Sequence, residues 1–398
     1  MSSSIKDHLF IVITGDNANA LGVVRSLGQA GLKPIVIYLF EETHLPLLIR
    51  SRYLTTIHEV HSYEEGVDLL LRTYSGQEKK PFVYTCDDSI QSIFDRRYPE
   101  LEGQFFFFNA GEKDRINELM NKHVICELAE SCGFRIPKQE VVKKGELPKT
   151  LQYPVITKTL KSIWGAWKAD SYICQDEAEL HDAYKKIVGN DLLLQEFIEK
   201  KTEMDLEGFS VKGGEEVFIP FEITYLRLPR GSYGHYMVCR EFKDSSVMEK
   251  MRELIRKCRF SGCFETEFLV DKNDQLWFLE VNFRFSAWNY AVTFGGANYP
   301  AMWAESTLAD RIVFPEESVF APRPVKKSFT ALSEPGDFGQ QIVTGHTSIW
   351  RWIREVLHAD MLYLYNPKDK IPAFSFWYNK LIRKFRGKKN SQRNCHVK

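Results

Sequence analysis

Apolar residues in the first hundred positions fall in short continuous runs separated by segments with helical spacing. "LFIVITG" (9–15) and "KPIVIYLF" (33–40) are runs of the kind buried on both faces of a sheet, and "NALGVVRSLGQAG" (19–31) between them has the period of a helix. Strand, helix and strand in that order predict a βαβ unit of the doubly wound kind. "PFVYTCDDS" (81–89) and "QFFFFNA" (104–110) add two more strands. Near residue 113 the pattern changes. "KDRINELMNKHVICELAESCGFRIPKQEVV" (113–142) predicts one long amphipathic helix, stopped at Gly133 and leaving through Pro137. A strand ("YPVITKTL"), a loop, a helix ("DEAELHDAYKKIVGN") and a strand ("DLLLQEFIEK") follow. From 203 to 290 mainly antiparallel strands are expected: "EMDLEGFSV", "EVFIPFEITYL", "YGHYMVCREF" and, after a helix, "CFETEFLVD" and "LWFLEVNFRF". The last two form a hairpin across "KNDQ". "FAPRPVKK" (320–327) reads as a linker.

One stretch of this hairpin, "FLEVNFRFSAWN" (278–289), is unusual. Side chains alternate faces along a strand, so Leu279, Val281, Phe283 and Phe285 share one face, and Glu280, Asn282, Arg284 and Ser286 share the other. Carboxylate, amide and guanidinium at successive same-face positions can together hold a cation and an anion. Upstream, Glu265 and Glu267 have the same spacing, and the hairpin brings Glu267 opposite the neighbourhood of Glu280 and Asn282. Two carboxylates and an amide oxygen suit Mg²⁺, which keeps its other positions for water and substrate phosphates. Glu267 is preferred to Glu265 for this role. Arg284 offers a planar fork to a phosphate. An ordinary polar face is the competing reading of these residues alone.

Composition narrows the class. A chain of 398 residues suggests two or three domains, and 44% hydrophobic with 27% charged residues is the balance of a soluble globular protein. The formal net charge is zero, so no overall field calls for nucleic acid. Eight cysteines lie scattered without a CxxC pair, which argues against a zinc site or disulfide framework and fits a reducing cytosol. The N-terminus lacks the features of a signal peptide, and no run approaches the length of a membrane span. The first turn, "GDNANALG", is not a dinucleotide fingerprint, which disfavours a nicotinamide oxidoreductase. Asp87 and Asp88, after a strand, read as caps of the next helix.

Further residues gain meaning from their order. Lys122 sits on a helix, where a lysine is ordinarily solvated, and Lys158 emerges from a strand, where it either snorkels or meets a phosphate. "LLLQEFIE" ends a strand in Gln195, Glu196, Phe197 and Ile198, a hinge able to offer backbone groups and a carboxylate to an adenine. Helix lysine, strand lysine, "QEFI", acidic strand, then E-x-N-x-R resembles the order in the ATP-grasp superfamily, over about residues 113–300. "FLEVNFRF" resembles its "EINPR" strand, and "MNKHVICELAESCGFRIPK" its "DK…A…G…P" helix. Within the superfamily the chain is most similar to carboxylate–amine ligases of the D-aspartate ligase type.

The resemblance implies an α/β and α+β chain. Residues 1–112 would be a Rossmann-like pre-ATP-grasp domain, 113–310 an ATP-grasp fold, and 311–398 a helical, basic C-terminal extension. It implies ATP and Mg²⁺ as cofactors. Lys122 and Lys158 would hold the α- and β-phosphates, Glu196 and the Ile198 backbone would meet adenine, and Glu203 the ribose. Glu267, Glu280 and Asn282 would bind two Mg²⁺ ions, and Arg284 the transferring γ-phosphate. Two positions depart from the superfamily's pattern. The lid after the strand lysine is "KTLKSIWGAWK", with Gly165 its single glycine, and Phe283 stands in place of proline.

The implied reaction is amide formation through an acyl phosphate, with ADP and phosphate released. The alternatives are a small-molecule kinase of the same fold and, given the lid, a non-catalytic ATP-binding regulator. "TYLRLPRGSYGHY" carries Arg227 and Arg230, which anchor an acidic substrate (an amino acid, peptide or sugar acid) or merely line a solvated loop. Phe374, Trp377, Tyr378, Leu381, Ile382 and Phe385 have helical spacing among basic residues. This is the pattern of a helix docked on its own domain, or of peripheral membrane contact through residues 374–389. Placement is expected in the cytoplasm, with the inner membrane surface as the second reading. The oligomeric state stays open, a homodimer included.

Overall fold

The apolar runs of the first hundred residues pair as expected. β1 (Phe10–Gly15), β2 (Pro34–Leu39), β3 (Thr56–Val60), β4 (Phe82–Thr85) and β5 (Phe106–Phe107) form a parallel sheet in the order β3-β2-β1-β4-β5. The strand order reverses between β1 and β4, so the C-terminal ends of these two parallel strands flank a crevice of the kind where ligands bind in doubly wound sheets. Asp87 caps the helix Asp88–Arg96, accepting from the Ile90 N–H at 3.1 Å. The computed structural model describes residues 5–41, 47–160, 171–228, 234–321 and 324–394, with side chains to 382.

The long helix expected from 113 is two helices, Arg115–Leu119 and Lys122–Glu130. The Asn121 side chain accepts from the His123 N–H and caps the second helix. An asparagine bonded to its own neighbourhood competes with continuous helix, so the break falls there. Lys122 thereby becomes the first residue of a helix, and its N–H donates to the Leu160 carbonyl at 3.0 Å.

β6 (Gln139–Lys143), β7 (Val155–Thr159), β8 (Ile173–Cys174) and β9 (Asp191–Glu196) form an antiparallel sheet in the order β6-β9-β7-β8. Residues 197–199 lead from it into a seven-stranded sheet. That sheet contains β10 (Lys200–Val211), β11 (Glu216–Tyr225), β12 (Tyr236–Glu241), β13 (Gly262–Asp271) and β14 (Leu276–Asn282). β15 (Ser328–Leu332) and β16 (Met361–Leu362) complete it, in the order β14-β13-β10-β11-β12-β15-β16. Strands from beyond residue 310 therefore finish the sheet that carries the acidic hairpin. The stretch before β15 is anchored rather than a free linker, because Phe320 and Ala321 are buried and the Lys326 N–H donates to the Gly295 carbonyl at 2.7 Å. Pro322 and Arg323, within it, lie outside the described residues.

A buried ion pair ties the first sheet's helix Ala18–Gln29 to the C-terminal region. Arg25 donates from Nε to Asp369 Oδ2 at 3.0 Å, and from its two other nitrogens to the carbonyls of Tyr363, Leu364 and Asp369. Ser51 Oγ also donates to Asp369 Oδ2, at 2.9 Å. Both partners are fully buried, so removing one leaves a charge without compensation. Asp369→Ala is expected to cost about 3–5 kcal/mol of stability, read as a fall in the urea midpoint.

Candidate active site

The acids of the hairpin belong to a larger lattice. In β-sheet register, Asp205 on β10 pairs with Glu267 on β13, and Glu267 pairs with Glu280 on β14. One step along, Glu207 pairs with Glu265, and Glu265 with Asn282. Cross-strand partners lie on the same face, so five carboxylates and one amide form two adjacent rows. Asp205, Glu207, Glu265 and Asn282 are buried, while Glu267 and Glu280 are half-buried. The more open row is the one containing Glu267.

Each acid has a partner that makes its burial tolerable. Ser286 Oγ donates to Glu207 Oε1, Tyr299 Oη to Glu207 Oε2 at 3.0 Å, and Tyr225 Oη to Asp205 Oδ2 at 2.6 Å. Asn282 Nδ2 donates to Glu265 Oε2 at 3.1 Å and to Glu267 Oε1 at 2.9 Å. Arg284 closes the end of the rows. Its Nε donates to Asp88 Oδ1 at 3.1 Å, Nη1 lies 3.4 Å from Glu265 Oε2, and Nη2 donates to Asn282 Oδ1 at 3.1 Å. Burial opposes the charge of Arg284, but Asp88, Glu265 and Glu267 outweigh it and keep the guanidinium protonated.

β14 ends at Asn282, yet the alternation continues beyond it. Phe283 packs on Phe260 at 4.9 Å between ring centroids, and Phe285 on Phe108 and Tyr299, each at 5.4 Å. These aromatic contacts hold Arg284 on the polar side. Phe283 at the position of the resembled motif's proline is thus a core residue.

The lysines meet the more open row. Lys122 Nζ forms an ion pair with Glu280 Oε2, and the Lys122–Leu160 backbone bond holds the start of its helix against the end of β7, where Lys158 lies. Burial lowers the pKa of Lys122. Lys158 is lowered to about 8, first by burial and then by the positive charge of Lys122. Glu267 and Glu203 only partly offset the effect of burial and Lys122 on Lys158, so the two ammonium groups form a site that gains from a bound polyanion.

The acids shift the other way. Burial raises Asp205, Glu265 and Glu267, and repulsion from neighbouring acids adds to it; for Glu267 that acid is Glu203, and Lys122 offsets part of the rise. Glu207 is raised from 4.5 to about 7 by burial. A carboxylate raised in the fold costs stability when ionised. That cost is absent below pH 4.5, grows as pH rises, and is complete above about 7. The two lysines do not change this window much, since the penalty on Lys158 is already nearly complete below about 8. Without ligands, the protein is therefore expected to gain about 1 kcal/mol from Glu207 between pH 8 and pH 6. Calorimetry should show the midpoint rising toward pH 6, with a smaller rise in Glu207→Gln.

The residues expected to meet the nucleoside occupy the junction of the two sheets. Gln195 is buried and donates to Gln139 Oε1 at 3.2 Å, Glu196 Oε1 accepts from the Lys138 N–H at 2.9 Å, and the Phe197 N–H donates to the Pro154 carbonyl. Phe197 and Ile198 are half-buried beside them. Glu203, on β10, pairs with Lys200. Arg227 is engaged elsewhere. Its guanidinium lies 2.9 Å from Glu355 and 3.3 Å from Asp337 and over the Tyr236 ring, so two carboxylates already balance the charge expected to anchor a substrate. Arg230 and lid residues 161–168 lie outside the described residues.

Three residues carry more than the sequence reading gave them. Asp87 is the helix cap it was expected to be, but Asp88 is a partner of Arg284. Asp205 and Glu207 had the same two-residue spacing as Glu265 and Glu267, the one signal that could have found them. Among the described residues, no three His, Cys, Asp or Glu side chains form a ready metal site. Asn282 Oδ1 now faces Arg284 while its NH₂ faces Glu267. A cation beside Glu267 would reverse that preference by rotating the amide. The donor chemistry fits Mg²⁺: hard oxygens from Glu267, Glu280 and Asn282.

A Rossmann-like sheet, a small antiparallel sheet and a large acidic sheet closing on a junction make the ATP-grasp fold. L-amino acid ligase from Bacillus licheniformis superposes over 81% of this chain and 79% of its own, with TM-score 0.58 and 16% identity. The biotin carboxylase domain of Hydrogenobacter thermophilus 2-oxoglutarate carboxylase, solved with MgADP, ADP and bicarbonate, covers 80% of this chain and 73% of its own, with TM-score 0.59 and 18% identity. In sequence, N5-carboxyaminoimidazole ribonucleotide synthase of Staphylococcus aureus is 24% identical over 160 residues, 39% of this chain. The match spans 42% of that enzyme's length. No family profile matches the chain.

Proposed function

We propose that this chain is an ATP-dependent carboxylate–amine ligase that forms an amide through an acyl phosphate and releases ADP and phosphate. The observation that carries the proposal is the pair of acid rows with Lys122, Lys158 and Arg284 around them. Similarity in fold to an amino-acid ligase and to a carboxylase domain solved with MgADP supports it. Glu267, Glu280 and Asn282 would hold Mg²⁺, which when bound screens the phosphate oxygens. Lys122 and Lys158 would bind the α- and β-phosphates, and Arg284 the group in flight. Gln195 to Ile198 and Glu203 would receive the nucleoside.

The work of these residues is positioning and charge neutralisation. A substrate carboxylate oxygen bonds to the γ-phosphorus as the bond to ADP breaks. The amine then bonds to the acyl carbon, phosphate leaves with the C–O bond's electrons, and the amine gives up a proton. The partners are small carboxylates and amines. Nucleic acid is not among them, and the expected peripheral membrane contact through residues 374–389 belongs to this proposal.

ADP release is to be measured with Mg²⁺, ATP and pooled amino acids, dipeptides, uronic acids and bicarbonate, each with and without amines. Bicarbonate is included because of the carboxylase neighbour. ADP that requires both a carboxylate and an amine is the expected result. ADP without an amine would replace the ligase with a kinase or a carboxylate-activating enzyme, and its absence from every pool in a sample that binds ATP would favour a regulator.

A further inference from the structure

The helix Ile349–His358 faces the wrong way for a helix that serves only to pack. Trp352, Glu355 and Val356 point toward the protein and are half-buried. Trp352 Nε1 donates to Asp337 at 2.9 Å, and Glu355 pairs with Arg227. Its apolar stripe points outward: Trp350 is 78% exposed and Leu357 77%, with Ile353 between them. Arg351, Arg354 and His358 flank this stripe, and Glu355, the helix's single acid, turns inward to Arg227 while its other oxygen accepts from Arg351 at 3.2 Å. An amphipathic helix that covered a core would do the reverse.

The C-terminal helix, Ile371–Asn394, adjoins it. The Phe338 ring contacts Trp352 at 5.2 Å and Trp377 at 6.3 Å between centroids. Pro372, Ala373 and Phe376 fix its first turns to the protein, while Phe374, Tyr378 and Leu381 are each more than half exposed. The sequence of this helix fits self-docking or membrane contact. The described part does dock, and still presents an apolar face. From 380 onward the sequence holds eight Lys and Arg and no acid.

We propose that the outward faces of Ile349–His358 and Ile371–Leu381 form one surface that lies on an anionic lipid bilayer, with Trp350, Leu357, Phe374 and Tyr378 entering the interface. This extends the contact expected from the tail to a second helix that the tail's sequence does not include. Aromatic and aliphatic side chains ringed by Arg and Lys suit the headgroup boundary, where apolar burial and attraction to anionic lipid add together. A second copy of the chain is the less fitting occupant. Face-to-face pairing would bring together two basic tails without an acid to offset them. No helix among the described residues is long and apolar enough to cross a membrane, so the contact is peripheral.

Cosedimentation of the full chain is the test, using phosphatidylcholine vesicles and vesicles with about one-third phosphatidylglycerol. Binding is expected only with phosphatidylglycerol, weakened by salt and accompanied by a blue shift of tryptophan emission. Trp350→Glu with Leu357→Glu should weaken it at least tenfold, on the order expected for two lost apolar side chains. Arg354→Glu, an exposed change that spares the apolar stripe, should weaken it less. Absence of binding by the wild-type chain, or equal binding by the double variant, overturns the proposal. So does a wild-type dimer that the double variant converts to monomer while vesicle binding is unaltered.

Discussion

Arg284→Ala is expected to lower ADP release by about 10³-fold or more, the scale found when a guanidinium that neutralises a transferring phosphoryl group is removed. The group is prepared for that work. Asp88 and Glu265 hold it from two sides and Asn282 from a third, so its position is set before substrate arrives. Because Arg284 is expected to meet the transferring group rather than the α- and β-phosphates, kcat should fall far more than ATP affinity. Arg284→Lys retains the charge but loses the planar fork, and should recover only part of the rate. The stability cost is smaller than for the fully buried Arg25 pair, since Asp88 keeps some exposure and burial already favours the protonated form of Glu265. Steady-state kinetics with separate ATP-binding measurements would decide it. A variant with weakened ATP binding and an unchanged kcat would move Arg284 from transfer to binding.

What was legible beforehand follows the reach of each physical signal. The period-two pattern of 278–286 showed the polar face, because alternation is a property of the strand itself. The hairpin turn brought Glu267 near Glu280, but a bulge between Glu267 and Phe268 shifts the register by one and sets the two opposite each other. Asp88 was hidden for the opposite reason. Its neighbour Asp87 satisfies the local need for a helix cap, and the Arg284 contact joins positions 196 residues apart. Lys122 was obscured by the apparent length of its helix. Only the Asn121 cap, a local bond, separates it as a helix start beside the end of β7. Arg227 looked free in a basic, tyrosine-rich loop, and the carboxylates that occupy it come from residues 337 and 355. Local periodicity was thus a good guide to which side chains share a face, and a poor one to the charges that face them from distant elements.

Glu280→Gln is expected to reduce ADP release about 10³-fold through lost charge stabilisation, while leaving the fold almost as stable as before. Two effects on stability oppose each other. The substitution relieves repulsion along the Asp205–Glu267–Glu280 row, and it deprives Lys122 of its ion-pair partner. Lys122 is half-buried and burial already lowers its pKa, so it can shed part of the cost by giving up its proton. Catalysis has no such compensation. Glutamine keeps the shape of Glu280 but offers a metal a neutral oxygen in place of an anionic one, and under the proposed assignment Glu267 would already be engaged at the same site. Raising Mg²⁺ should therefore recover ADP release only in part, with the half-saturating concentration moved upward. Titrating Mg²⁺ at fixed ATP, alongside ATP binding measured without the metal, separates the two roles. A full rate at high Mg²⁺ would reduce Glu280 to an affinity ligand. A full rate at ordinary Mg²⁺ would leave it only as the partner of Lys122 and remove it from the metal set.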